Sequence, residues 1–478
     1  MFEVKITLMN FNADSLSPDN LSALLTREKV SARFPAALSV LSDLVRIPGI
    51  AWEAFPEADL ESSASQVANL LERTGIFESI DIRRASVNGV AGAPAVVAHR
   101  AAKNGRPQIL LYAHHDVQPP GDLDQWATPP FQPTLADGRI YGRGAADDKA
   151  GIVAHLTAIE VLRDLVGPDF EIGISVFIEG EEEAGSPTFR KFLEENKEQL
   201  QADVIVVADS SNWSTSVPAL TTTLRGLVSQ VVEVSTLDHA LHSGMYGGAV
   251  PDAMTAMIRL LASLHDAEGN VNVAGLKRGT ASDLEYSDES LAQDSGLLDG
   301  VKQIGSGTIL DRIWMKPSVT VIGIDAVPVA QSSNTLLPSV RAKVSMRIAP
   351  GEKPQEALNL LRSHLEANVP FGAKLQFGDV ELGKPFADEN VGWAKELASA
   401  CLGAAFGELA VDAGIGGSIP FIADLIEVFP KAQILVTGVE DPDSRAHSPN
   451  ESIHLETLKS AIVAESLFLY KGNDLRVN

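Results

Sequence analysis

Apolar residues recur at helical spacing over 34–46, where Phe34, Leu38, Leu41 and Val45 share one face before Pro48 and Gly49 interrupt the pattern. A second amphipathic helix is expected near 64–74, followed by short apolar runs at 77–83, 95–99 and 108–113 that read as strands between polar turns. Helix near 150–165, strand 172–179, helix near 188–200 and strand 204–208 continue the series. Such alternation predicts an α/β layer, a central mostly parallel sheet with helices on both faces.

The rhythm changes near Leu224. Strands at 227–234, 318–324 and 340–348, helices at 253–265 and 354–367 and a final strand predict a smaller α+β insert, interrupted by a polar stretch at 266–316 with no readable element. A helix at 393–406, a strand at 433–436 and a helix at 455–470 resume the first pattern. Two domains follow: a discontinuous one of 1–223 and 385–478, and an inserted one of 224–384. Neither internal repeats nor low-complexity tracts are present.

Composition narrows the function classes. With 38 Lys and Arg against 63 Asp and Glu, the net charge of −25 repels phosphate backbones and anionic lipid, so neither nucleic acid nor membrane is an expected partner. No stretch reaches the roughly 18 apolar residues of a membrane span, and residues 1–18 lack an export signal, which makes the cytoplasm the expected location. Cys401 is the only cysteine, so a metal site would have to use histidine and carboxylate.

Five segments carry such groups. The strand pattern ending in Ala113-His114-His115-Asp116 puts His114 and Asp116 on one face, as a ligand with its orienting acceptor or as a plain surface pair. Asp147 and Asp148 follow a glycine-rich turn just before a helix, where an acid also serves as an ordinary N-cap. The apolar strand ending at Glu179 runs into Glu181, Glu182 and Glu183, four acids within five positions, and such repulsion calls for a cation. Asp209 ends another apolar strand, and His447 sits in a turn before the last helix. In α/β folds the carboxyl ends of the strands are where sites are built.

In these motifs the chain resembles the two-zinc aminoacylase and carboxypeptidase family, in particular its carnosinase-like cytosolic dipeptidases. The wording is Ala-His-His-Asp-Val-Gln-Pro from Ala113, Tyr-Gly-Arg-Gly-x-x-Asp-Asp-Lys from Tyr141, Glu-Gly-x-Glu-Glu-x-Gly-Ser from Glu179, Leu-His-Ser-Gly from Leu241, Gly-Gly-Ser-Ile-Pro from Gly416 and His-Ser-x-Asn-Glu from His447. The resemblance implies two divalent ions, zinc or else manganese or cobalt. Asp147 would bridge them, with His114 and Asp209 on one ion and Glu183 and His447 on the other. Asp116 and Glu182 would be the catalytic residues, the first orienting His114 and the second acting as general base towards water. That register rests on Gly185 and Ser186, and a one-step slip would exchange the roles of the adjacent acids.

On the substrate side the resemblance implies His242, Thr335, Arg347, Gly417 and Ser418, and a homodimer through an inserted lid and dimerisation domain. Each has a plain alternative: a helix cap for His242, a strand turn for Thr335, a solvated strand position for Arg347, a simple turn for Gly417 and Ser418. Leu224-Arg225-Gly226 stands where these dipeptidases often carry Thr-Arg-Gly, and Lys149-Ala150-Gly151 departs from their lysine-glycine. The substrate class is a small peptide, the alternative an N-acyl amino acid for a deacylase or desuccinylase. A non-catalytic metal-dependent binding protein is the alternative of another kind.

Overall fold

The computed structural model describes residues 20–388, 392–417 and 420–477, and Ser418 lies outside them. The chain divides into two compact units, one drawn from Met1–Thr221, Asp388–Ala413 and Asp424–Asn478, the other from Thr222–Ala387 and Gly414–Ala423. The return of Gly414–Ala423 to the second unit is invisible to a reading of periodicity, because a short segment is assigned by what it packs against.

The first unit is built on a six-stranded sheet in the order Ser79–Arg83, Ala95–Arg100, Gly173–Glu179, Gln108–His114, Val204–Val207, Gln433–Val436. The last four run parallel and the first two are antiparallel at one edge. Alternation along the strands separates two apolar faces. Ile109, Leu111, Ile174, Val176 and Val206 join the core formed with the helices Leu21–Val45, Lys149–Val166, Trp393–Phe406 and Leu455–Gly472. On the other face Tyr112 and Phe177 meet edge-on at 5.6 Å between ring centroids, and Phe177 stacks on Phe192 of the helix Phe189–Glu195 at 4.8 Å. Burying one such aromatic contributes about 2 kcal/mol, which makes a strand with both faces apolar stable only in the middle of this layer.

Local chemistry fixes the helix ends. Asp148 caps the helix Lys149–Val166 by accepting from Gly151 N at 3.2 Å, and Gly167, at φ 97°, ends it. The first described helix begins at Leu21, well before the expected 34, and contains Pro35. Proline at the start of an apolar pattern reads as a first-turn residue, but here Asn20 caps the helix and tertiary packing carries it through the missing N–H. The single helix expected at 188–200 is two, Phe189–Glu195 and Lys197–Leu200, broken at Asn196.

The second unit has a four-stranded antiparallel sheet in the order Ser318–Asp325, Ser339–Ile348, Gly226–Ser235, Lys374–Gly383. Val228, Val232, Val344 and Met346 face Met257 and Leu260 of the helix Ala253–Ala262 and Leu361 and Leu365 of Pro354–Asn368. The polar stretch after His265 holds the helix Asp288–Ser295 and a single π-type turn, Asp311–Met315, anchored by buried Trp314. The helix carries Leu291 as its one large apolar residue and the π-type turn spans five residues, too little in either for a period to register. No helix among the described residues is long and apolar enough to cross a membrane.

Candidate metal centre

Parallel strands deliver their polar ends to one edge of the first unit's sheet. His114 is the last residue of Gln108–His114, and its backbone N–H donates to Asp148 Oδ2 at 3.2 Å. Its imidazole is fully buried, with Nε2 2.9 Å from Asp147 Oδ1 and Nδ1 3.4 Å from Asp116 Oδ1. Burial alone would discharge the ring, but hydrogen bonds to Asp116 and Asp147 outweigh it and hold the imidazolium well above its ordinary range. His115, one step on, turns away and donates to the carbonyl of Pro94 at 2.7 Å; burial pushes it down to about 4.

Asp147 is set by the turn before the Lys149 helix, and its peptide bond to Asp148 is cis. Gly144, at φ 78°, leaves no room for a side chain: a Cβ would come within 2.5 Å of Val117 Cγ1. Glu451 organises the same turn from a distant segment, accepting from Gly144 N at 3.0 Å, Ala146 N at 2.9 Å and Asp147 N at 3.1 Å and pairing with buried Arg143 at 2.7 Å. The sequence reading gave Glu451 no role, although it closes the His-Ser-x-Asn-Glu motif.

The acidic run after Gly173–Glu179 is sorted by its turn. Glu181 accepts from Ala93 N at 2.8 Å and from Thr188 N at 2.8 Å, so its carboxylate is spent on structure. Asp116 accepts the backbone N–H groups of Glu182 and Glu183 at 3.2 and 3.1 Å. Gln118 then steers Glu183, donating from its backbone at 3.1 Å and its side chain at 2.7 Å. Glu183 Oε2 lies 3.2 Å from His447 Nε2, which is 3.0 Å from Asp147 Oδ2. His447 has φ 63°, an unusual conformation for a non-glycine residue, in the turn ahead of the last helix.

Two donor sets result: His114, Asp147 and Asp209 in one, Asp147, Glu183 and His447 in the other, each with its ligand atoms within 4.8 Å of one another. Asp147 is common to both. The charges also fit a cation. Burial, reinforced by Asp147 and Glu183 against the opposing histidines, pushes Asp209 up to about 7. Glu182 is raised well above its usual range by burial and then by Asp209. The hydrogen bonds of Asp147 and Glu183 lift His447 to about 11. Against its burial, hydrogen bonds from His114 and His447 hold Asp147 below the usual carboxylate range, whereas Asp209 and Glu182, raised as they are, would be favoured in their charged form by a cation; hard oxygen with imidazole nitrogen suits zinc-like ions.

Glu440 was also missed by the sequence reading. Burial, then Asp147 and Asp209, raise it well above the carboxylate range. In sequence it is one acid among several after Val436, with no strand pattern to single it out.

Of the other candidates, His242, Thr335, Arg347 and Gly417 belong to the second unit. His242 and Thr335 are cross-strand partners, and His242 Nδ1 accepts from Gly244 N at 3.1 Å, capping the turn Ser243–Tyr246. Arg347 lies in another sheet, on Ser339–Ile348 opposite Leu227 and Ser318, close enough for its charge to act on Arg225. Gly417 is half-buried beside Gly416.

Residues 110–471 match peptidase family M20/M25/M40. The Cysteinylglycine-S-conjugate dipeptidase of Corynebacterium striatum is 33% identical over 414 residues, covering 86% of this chain and 89% of that protein. The Beta-Ala-His dipeptidase of Rattus norvegicus is 29% identical over 386 residues, 76% of each. Among solved structures, the di-peptidase Dug1p of Saccharomyces cerevisiae shares the fold at a TM-score of 0.75 with 21% identity, over 95% of this chain and 98% of that one. Both sequence relatives are dipeptidases by name, in keeping with the carnosinase-like branch that the motifs resemble. With most of its length matched, this chain belongs to peptidase family M20/M25/M40.

Proposed function

We propose that this chain is a metal-dependent dipeptidase whose site takes two divalent ions, zinc in the simplest case and manganese or cobalt as compatible alternatives. His114 and Asp209 would hold one ion, Glu183 and His447 the other, and Asp147 both. The observation that carries the proposal is the pair of donor sets sharing Asp147. When bound, such a pair of cations supplies Lewis acidity towards a carbonyl and makes water easier to deprotonate.

The chain's own residues do the rest. Glu182 takes the proton from water and returns it to the departing amine, its carboxylate kept beside the acidic cluster by the grip of Asp116 on its backbone. Asp116 is a positioning residue that holds the Nδ1 side of His114, through its backbone carbonyl at 3.1 Å and its carboxylate at 3.4 Å, and so turns Nε2 towards Asp147. Gln118 does the same for Glu183. His242, Thr335, Arg347, Gly417 and Ser418 would bind the substrate, with Arg347 matched to its carboxylate. Cys-Gly conjugates and β-Ala-His are the first substrates to try, because the relatives at 33% and 29% identity are named for them.

A homodimer through the inserted domain, with His242 reaching the partner's substrate, completes the reading. It is supported by the edge strand Ser318–Asp325, which leaves Val321, Ile322 and Ile324 exposed. A cytoplasmic setting agrees with a chain whose one cysteine, Cys401, is buried.

Elemental analysis combined with a substrate panel tests the proposal. The expected result is about two ions per chain and turnover of dipeptides, abolished by Glu182→Gln with metal retained and lost with the metal in Asp147→Ala. Turnover of N-acetyl or N-succinyl amino acids alone would make the chain a deacylase; activity without metal would end the proposal.

A further inference from the structure

The second unit contains a cavity of about 550 Å3 that the metal centre does not use. Its wall is built largely by the polar stretch after His265. Arg225, Arg278, Lys302, Arg312, Lys316 and His265 all line it, and its described lining contains neither Asp nor Glu, in a chain whose net charge is −25. That is the reverse of what the composition would scatter at random.

The guanidinium groups are hydrogen-bonded, but to neutral oxygens. Buried Arg225 donates from Nε to Gly416 O at 2.9 Å and from Nη1 to Ser318 Oγ at 3.1 Å. Arg312 donates to Ile304 O at 2.9 Å and Gln303 Oε1 at 3.0 Å, and Arg278 to Val271 O at 2.7 Å. Of the cavity's cations, Lys316 has a carboxylate within 4 Å among the described residues, Asp311 at 3.7 Å, whose oxygens already accept from Ala281 N and Thr308 N at 2.8 and 3.3 Å. Carbonyl dipoles fill the donors' valences without cancelling the charge. Burial, then the charge of Arg347, accordingly pushes Arg225 down to about 10. Leu297, Val301, Ile309 and Val319 supply an apolar wall to the same cavity.

We propose that this cavity is a binding site for an amphipathic organic anion, with a carboxylate directed to Arg225 and Arg312 and an apolar body against Leu297, Val301 and Ile309. A bare inorganic anion would leave the apolar wall uncovered, and an uncharged apolar molecule would leave the guanidinium groups without a counter-ion. The peptidase reading is not needed for it, since among the described residues no proposed metal ligand or substrate-binding residue lines the cavity.

Isothermal titration calorimetry of the full metal-loaded chain tests it, with decanoate as probe and decanol and inorganic phosphate as controls. Decanoate is expected to bind once per chain, and each control at least about tenfold more weakly, the loss of one charge-assisted or one apolar contribution. The variant Arg278→Gln/Lys302→Gln changes two exposed side chains, so its fold is expected to survive, with an unchanged thermal midpoint and decanoate binding weakened about tenfold or more. Arg312→Gln is a second, independent test of the same loss. Absence of decanoate binding, equal binding of decanol or phosphate, or undiminished binding in both folded variants would overturn the proposal.

Discussion

Replacing Glu451 tests whether the metal centre depends on a residue that touches no metal. Its side chain is wholly buried and that of Arg143 is 1% exposed, so the pair sits out of water and is joined at 2.7 Å. Removal by Glu451→Ala strands the guanidinium, whose other described acceptor is Pro119 O at 3.4 Å, and orphans the N–H groups of Gly144, Ala146 and Asp147. Breaking a buried ion pair from one side costs about 3–5 kcal/mol. A net loss near 4 kcal/mol allows for water entering the space, and Glu451→Gln, which keeps the shape and one acceptor oxygen, should lose about 2 kcal/mol. Since the same N–H groups aim Asp147, metal affinity should fall about 10- to 100-fold in the glutamine variant. Urea unfolding of the metal-free protein followed by circular dichroism measures the first quantity, and calorimetric zinc titration the second. A Glu451→Ala protein within about 0.5 kcal/mol of the parent, with unaltered zinc affinity, would refute the reasoning.

Metal removal should reverse the pH dependence of stability. In the chelated protein Asp209 is raised to about 7 and His447 to about 11, and a raised folded-state pKa contributes stability that is lost as pH climbs towards it. The chelated protein should therefore melt at a lower temperature at pH 8 than at pH 5, while zinc affinity by calorimetry rises over the same interval as ions displace those protons; a melting temperature that rises with pH after chelation would contradict this. Asp116→Asn should weaken zinc binding about 10- to 100-fold with little change in fold, because His114 and the backbone of Glu182 and Glu183 lose their charged acceptor; equilibrium dialysis reads it. If the proposed dimer forms through the edge strand Ser318–Asp325, the parent chain should sediment as a dimer and Ile322→Lys/Ile324→Lys as a monomer, since charge on that edge opposes pairing; a monomeric parent, or a dimer unchanged by both lysines, would refute this interface.

How much of this was legible beforehand follows from the range of the forces involved. Strands such as Gln433–Val436 and the helix Trp393–Phe406 appear where periodicity places them, because burial on a face writes its period into the local sequence. The polar groups at strand ends were visible for the same reason: an apolar run that stops at His114 or just before Asp209 announces its own edge. Tertiary structure decided which partners each of three consecutive glutamates meets. Glu181 goes to Thr188 and Ala93, Glu183 to His447, and Glu182 stays beside Asp209 and His114, an outcome set by one turn and by partners far along the chain. It also decided the place of Glu451, about which no local pattern speaks, and the gathering of Arg225 with Arg278 and Arg312 around one cavity. Secondary structure is encoded over a few residues, whereas a site is a set of distances between residues remote in sequence, and those distances exist only once the core has closed.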